Sequence, residues 1–162
     1  MPASHSAVAA APEDLVLEIV REFDAPRELV YRVWTEPAHA KRWSAPEGFE
    51  LSHCEMDVRV GGVARCCMSG AGGVEHWVTE VYREVVENEL LVFTHAWDDE
   101  SGKPGPATTI SVRFESVGGR TRVTMRQDGF ATRASRDGHG TGWQECFDRL
   151  AAYLAERQGG AR

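Results

Sequence analysis

The chain has 162 residues, 42% hydrophobic and 27% charged, with a formal net charge of −7. This balance is that of a globular protein and excludes a collagen, a coiled coil and a disordered chain; about 70% of the unfolded surface can be buried at this length, enough for one domain with a sizeable core. No apolar run reaches the roughly 18 residues of a membrane span, and no basic stripe is present to displace counterions, so neither membrane insertion nor nucleic-acid binding is expected.

Residues 1–13 read as a loose leader. They are Ala-rich but carry no Lys or Arg ahead of the weak apolar stretch, so they lack the start of a secretory signal, and the expected location is the cytoplasm. Nearly all basic residues are Arg, with Lys41 and Lys103 the exceptions, a bias that suggests a GC-rich bacterial genome. Leu15, Leu17, Ile19 and Phe23 alternate with Glu18 and Glu22, the period of a strand. Asp24 can cap a following helix and Pro26 suits its first turn. Leu29, Val30, Val33 and Trp34 recur at helical spacing, and Pro37 restarts a second short helix through Trp43.

About six hairpin-linked strands follow. They are expected over 49–60, 63–69, 75–86, 90–97, 108–114 and 121–127, with turns at Gly61-Gly62, Gly70 to Gly73, Glu87-Asn88-Glu89 and Gly118-Gly119. Residues 98–106 read as a polar loop and 128–138 as an irregular polar link. A long helix is expected from about Gly140 to Leu154, with Trp143, Cys146, Phe147, Leu150 and Leu154 on one face. Residues 14–156 then form a single domain and 157–162 a tail. A run of strands with segregated helices is an α+β pattern with an antiparallel sheet.

The cysteines, Cys54, Cys66, Cys67 and Cys146, have neither a Cys-x-x-Cys pair nor a His-x3-His partner motif. They read as buried small hydrophobes, and no metal site is expected. No nucleophile elbow or phosphate-binding loop of the Walker kind occurs. His76 and Glu80 lie four apart on the longest strand and face the same way. Buried, they would form an acid/base pair; exposed, they would be a weak ion pair on a solvated face.

Several segments together resemble one family: Asp24-Ala25-Pro26, Val33-Trp34-Thr35-Glu36-Pro37, Arg42-Trp43, Asp57 to Gly62, Tyr82 to Val85, Leu91 to Thr94, Thr121 to Met125, and Gly142-Trp143. In order and spacing they resemble the heat-shock-protein-90 ATPase activator homologue-like family of the START-like (SRPBCC) superfamily, over about Leu15 to Leu154. The resemblance implies a helix-grip fold: a curved antiparallel sheet wrapped around the C-terminal helix, two short helices after the first strand, and a cavity between sheet and helix. Relatives bind lipids, sterols, polyketide intermediates or plant hormones; some are cyclases or hydrolases, and the eukaryotic namesake stimulates a chaperone ATPase. The chain departs from the pattern at Ser44, where a second Trp is common, and at Ala64 and Cys66, where aromatics are usual. All three remove volume.

If the alternation holds, the wall of that cavity takes Met56, Cys66, Met68, Phe93, His95, Phe114, Met125 and Gln127 from the strands. The long helix adds Trp143, Phe147 and Leu150, the short helices add Trp34 and Trp43, and His76 and Glu80 add polar points. His95 and Gln127 are placed to orient a carbonyl or hydroxyl. The same inward stripe is also what a filled core requires. The leading expectation is a carrier or sensor for a hydrophobic, aromatic or lipid-like small molecule, with no cofactor and no assigned catalytic residue. The alternatives are an enzyme of the polyketide cyclase or dehydratase type and a co-chaperone-like ATPase activator. A free sheet edge would also allow a homodimer.

Overall fold

A computed structural model describes residues 13–160, so most of the 1–13 leader and the last two residues of the 157–162 tail lie outside the described residues. After a single helical turn at Glu13–Leu15 come β1 (Leu17–Phe23), α1 (Arg27–Thr35) and α2 (Pro37–Ala40). Strands β2 (Phe49–Met56), β3 (Val63–Gly70), β4 (Glu75–Val86), β5 (Leu90–Trp97), β6 (Thr108–Val117) and β7 (Arg120–Asp128) follow, and α3 (Arg133–Gly160) ends the described chain.

The strands form one seven-stranded sheet in the order β1-β7-β6-β5-β4-β3-β2, antiparallel throughout. Strands β2 to β7 are a meander, and β1 closes onto β7 with Ile19 opposite Met125 and Phe23 opposite Thr121. Its two edges are therefore β1 and β2. The sheet curls as a half-barrel around α3, and the helix-grip architecture expected from the sequence is the observed one.

Alternation explains the faces. Leu91, Phe93 and His95 of β5, Ile110, Val112 and Phe114 of β6, and Val123, Met125 and Gln127 of β7 are all buried. Against them lie Cys146, Phe147, Leu150, Tyr153 and Leu154 of α3. Trp34 anchors the centre, stacked on Trp143 at a centroid distance of 5.9 Å and edge-on to Trp43, Phe114 and Phe147. Trp43 gives its indole N–H to the Val33 carbonyl at 2.9 Å, so this large ring enters the core with its polar atom satisfied.

Five local details differ from the sequence reading. Asp24 does not cap α1; Pro26 stands at that position and no side chain caps the helix, because Asp24 lies two residues too early. Strand β2 stops at Met56 instead of reaching Val60, because the chain turns there: Arg59 N–H bonds the Asp57 carbonyl and Gly62 N–H the Arg59 carbonyl. A Cβ at Gly62 would lie 2.0 Å from the Asp57 oxygen, so the turn needs glycine. A bulge between Leu51 and His53 shifts the phase of β2 and buries both Leu51 and Cys54. Finally, the link read as irregular over 128–138 is helical from Arg133 onward. Thr132 starts it, its hydroxyl accepting from Ser135 N–H at 3.1 Å and its carbonyl from Arg136 N–H. The helix also continues through Gly160, into the segment read as a tail.

Candidate functional site

The interior is divided. Toward β1, β6 and β7 the space between sheet and helix is filled by the aromatic cluster around Trp34. Toward β2 to β5 it is not, and a pocket of about 480 Å³ remains. Its walls come from Leu51 and Met56 of β2, Cys66 and Met68 of β3, His76, Val78 and Glu80 of β4, and His95 and Trp97 of β5. Ser44 and Pro46 close one side, and the first half of α3 roofs it with Ala134, Ser135, Gly138, His139, Gly142, Trp143 and Cys146. His76, Ala134 and Gly138 are exposed and stand at the mouth.

Register aims the polar side chains. Near its turn the β4–β5 hairpin pairs Val86 with Leu90 and Glu84 with Val92. A bulge between Tyr82 and Glu84 then shifts the pairing by one, so that Tyr82 faces Phe93 and Val78 faces Trp97. In this shifted register Glu80 stands opposite His95, and its Oε2 lies 2.7 Å from His95 Nδ1. His95 is 7% exposed and the Glu80 side chain 15%. His95 Nε2 is buried with no hydrogen-bond partner.

Several neighbouring polar groups are engaged. His139 places Nδ1 2.8 Å from the Ser135 carbonyl, which can only accept, so Nδ1 carries the proton. Its Nε2 then accepts the Trp97 indole N–H at 3.1 Å. Burial lowers the His139 pKa, in keeping with that neutral tautomer. Trp143 donates to Gln127 Oε1 at 3.0 Å, and Gln127 Nε2 donates to Thr108 at 2.8 Å. Behind the wall Cys66 donates to Cys54 with the sulfurs 3.0 Å apart. That bond and burial push the Cys66 thiol up, while Cys54, as acceptor, is lowered. Burial pushes Cys146 up to about 12. Of these thiols Cys66 and Cys146 border the pocket, and the described residues hold no group of three or more potential metal ligands.

Residues 24–155 match the family described as activator of Hsp90 ATPase homolog 1-like protein. The chain belongs to this family.

Among solved structures, a protein of Arthrobacter aurescens is 26% identical with a TM-score of 0.78, each chain covered to 92%. A protein of Nitrosomonas europaea is 25% identical with a TM-score of 0.77, covering 91% of this chain and 99% of its own. The AHSA1 protein of Silicibacter pomeroyi shares the fold at a TM-score of 0.79 and 22% identity, over 88% of this chain and 99% of its own. No curated protein gives a significant match.

Within this family fold, the residues singled out from the sequence fall into two groups. Met56, Cys66, Met68, His76, Glu80, His95 and Trp143 line the pocket. Trp34, Trp43, Phe93, Phe114, Met125, Gln127, Phe147 and Leu150 lie away from it in the packed core. Gln127, read as a group free to orient a ligand, has both ends of its amide committed and no exposed surface. The His76–Glu80 pair does not form either; Glu80 pairs with His95, while His76 packs its ring near Phe49 and Trp97. Of the three small residues that depart from the family pattern, Ser44 and Cys66 line the pocket, whereas Ala64 is fully buried in the packed core.

The sequence reading missed Leu51, Val78, Trp97 and the first turns of α3, which bring Ala134, Ser135, Gly138 and His139 to the pocket. For His139 a signal existed: it stands four residues before Trp143, on the same helical face, once Thr132 is recognised as the helix start. Among the described residues no helix is long and apolar enough to cross a membrane.

Proposed function

We propose that the chain binds a hydrophobic, aromatic or lipid-like small molecule in the pocket between β2–β5 and the N-terminal half of α3, as a carrier or sensor. The observation that carries this reading is the pocket itself. Its volume of about 480 Å³ falls within the roughly 300–1,000 Å³ of small-molecule sites, and its wall is apolar and aromatic with a few converging polar groups. Met56, Met68 and Trp143 supply adaptable apolar contact, and His76, Glu80 and His95 supply the polar points.

The Glu80–His95 pair favours a second reading, an enzyme of the cyclase or dehydratase type. A carboxylate bonded to an imidazole in an apolar cleft is a usable acid/base couple. A co-chaperone role calls for a contiguous exposed apolar patch. Among the described residues the exposed large apolar ones are Val20, Val60, Val63, Val74 and Val86, spread over β1, the β2–β3 turn with the start of β3, the residue before β4 and the end of β4. The edge strands β1 and β2 are where a homodimer would pair, and the cytoplasm is the compartment proposed.

Native mass spectrometry of gently purified protein, followed by denaturation and analysis of the released molecules, tests the first reading. A stoichiometric small-molecule adduct that is lost in a Trp143→Ala variant supports it. An adduct retained by that variant places the ligand elsewhere. Turnover of an added aromatic polyketide-like substrate, lost in His95→Phe, would favour the second reading.

A further inference from the structure

The polar wall of the pocket constrains what the ligand carries. His139 is committed at both ring nitrogens, the Trp97 indole N–H is given to His139, and the Trp143 indole N–H is given to Gln127. His95 Nε2 alone among these nitrogens is buried without a partner. Such an atom bears an uncompensated desolvation cost until something bonds to it. Its character follows from the other side of the ring. The Glu80 carboxylate accepts, so His95 Nδ1 carries the proton across the 2.7 Å contact. In the neutral imidazole Nε2 then presents a lone pair. A ligand carbonyl there would set lone pair against lone pair, whereas a hydroxyl donates into it.

We propose that the ligand is an apolar, aromatic-sized molecule bearing an acidic hydroxyl, a phenol or an enol, which donates to His95 Nε2 while Glu80 holds the imidazole in the accepting tautomer. This rests on the pocket being a ligand site and specifies the ligand's chemistry. The hydroxyl takes this unpartnered nitrogen, and the rest of the molecule lies against Met56, Met68, Val78, Trp97 and Trp143. Glu80 acts as a positioning residue: it touches no ligand atom in this arrangement and fixes which nitrogen bears the proton.

The test compares three probes of one size on the full chain by isothermal calorimetry: naphthol, its methyl ether and naphthaldehyde. Wild type is expected to bind naphthol about tenfold more tightly than the ether or the aldehyde, because neither of those donates to the buried nitrogen. His95→Phe is expected to erase that preference while still binding the ether. Glu80→Leu frees the tautomer and is expected to shrink the preference for naphthol over the aldehyde, a ratio that mere loosening of the fold would not change selectively. Equal affinities for all three probes in wild type, or a preference for the aldehyde, would overturn the hydroxyl anchor and leave the pocket reading standing. Absence of binding by any probe, the ether included, would overturn both.

Discussion

Glu80 and His95 face each other across the β4–β5 hairpin with 2.7 Å between Oε2 and Nδ1, in a register created by a one-residue bulge. Continued without the bulge, the pairing near the turn would put Ala96 opposite Glu80. Both partners are largely buried, so each needs the other: a buried polar group left alone bears its full desolvation cost. Glu80→Leu or His95→Phe alone is expected to destabilise the fold by about 1–3 kcal/mol, since each orphans its partner. The double variant is expected to cost less than the sum of the two. A urea-denaturation cycle measures the coupling, and strict additivity would show that the contact contributes nothing.

His139 makes stability depend on pH. Its folded-state pKa is lowered from 6.5, first by burial. Below 6.5 the unfolded chain takes up a proton that the folded chain resists, so unfolding is favoured as pH falls through 6.5 toward the folded value. His39 acts with the same sign, lowered by burial and by Arg157. Protonation also turns His139 Nε2 from acceptor into donor, against the Trp97 N–H. The urea midpoint is therefore expected to fall between about pH 7 and pH 5, with a shallower fall in His139→Gln, which keeps an acceptor but does not titrate. An equal slope in the variant would remove His139 from the account.

Ala64 and Cys66 give a matched comparison. They stand two apart on one face of β3, opposite Glu80 and Val78 respectively. Ala64 is sealed in the packed core, whereas Cys66 borders the pocket. Ala64→Phe is expected to overpack and cost about 1–3 kcal/mol or more. Cys66→Phe has space to enter, so its cost is expected to stay below about 1.5 kcal/mol while probe binding is lost. Thermal melts with and without naphthol read both effects. A Cys66→Phe protein that binds the probe as wild type does would move the ligand out of this pocket.

These residues also show what was legible beforehand. Period-two alternation and paired glycines gave the strands and most inward faces, because the side-chain period of a strand is fixed and only a few residues close a tight turn. The bulges in β2 and β4 were not legible, since an extra residue leaves no compositional mark, and with them went the burial of Leu51 and the choice of partner for Glu80. The start of α3 was hidden by Gly138, Gly140 and Gly142, residues of low helix propensity. Gly140 is tolerated because the helix passes close to β1: a Cβ there would lie 3.2 Å from Leu17 Cδ1. Which inward residues would be packed and which would face open space was also not readable. That is decided by where Trp34, Trp43 and Phe147 meet, a three-dimensional coincidence of residues far apart in the chain.

Arg149 links the pocket wall to the long helix. Its Nη1 donates to the Ala45 carbonyl at 2.8 Å and the Phe49 carbonyl at 3.0 Å, tying both ends of the segment that contributes Ser44 and Pro46 to the pocket. A lysine ammonium also carries several N–H donors on one nitrogen, but it ends a different stem and lacks the planar guanidinium that aims Nη1 at both carbonyls. Arg149→Lys is therefore expected to retain part of the anchoring. Arg149→Met keeps apolar bulk, removes both hydrogen bonds, and is expected to cost about 1.5–3 kcal/mol. The local consequence is more specific than the global one. Amide exchange at residues 44–49 should accelerate ahead of the rest of the fold, and naphthol affinity should fall in step, because one wall of the pocket would no longer be held. Unchanged exchange in that segment, in a variant destabilised as a whole, would show that Arg149 supports the fold without shaping the site.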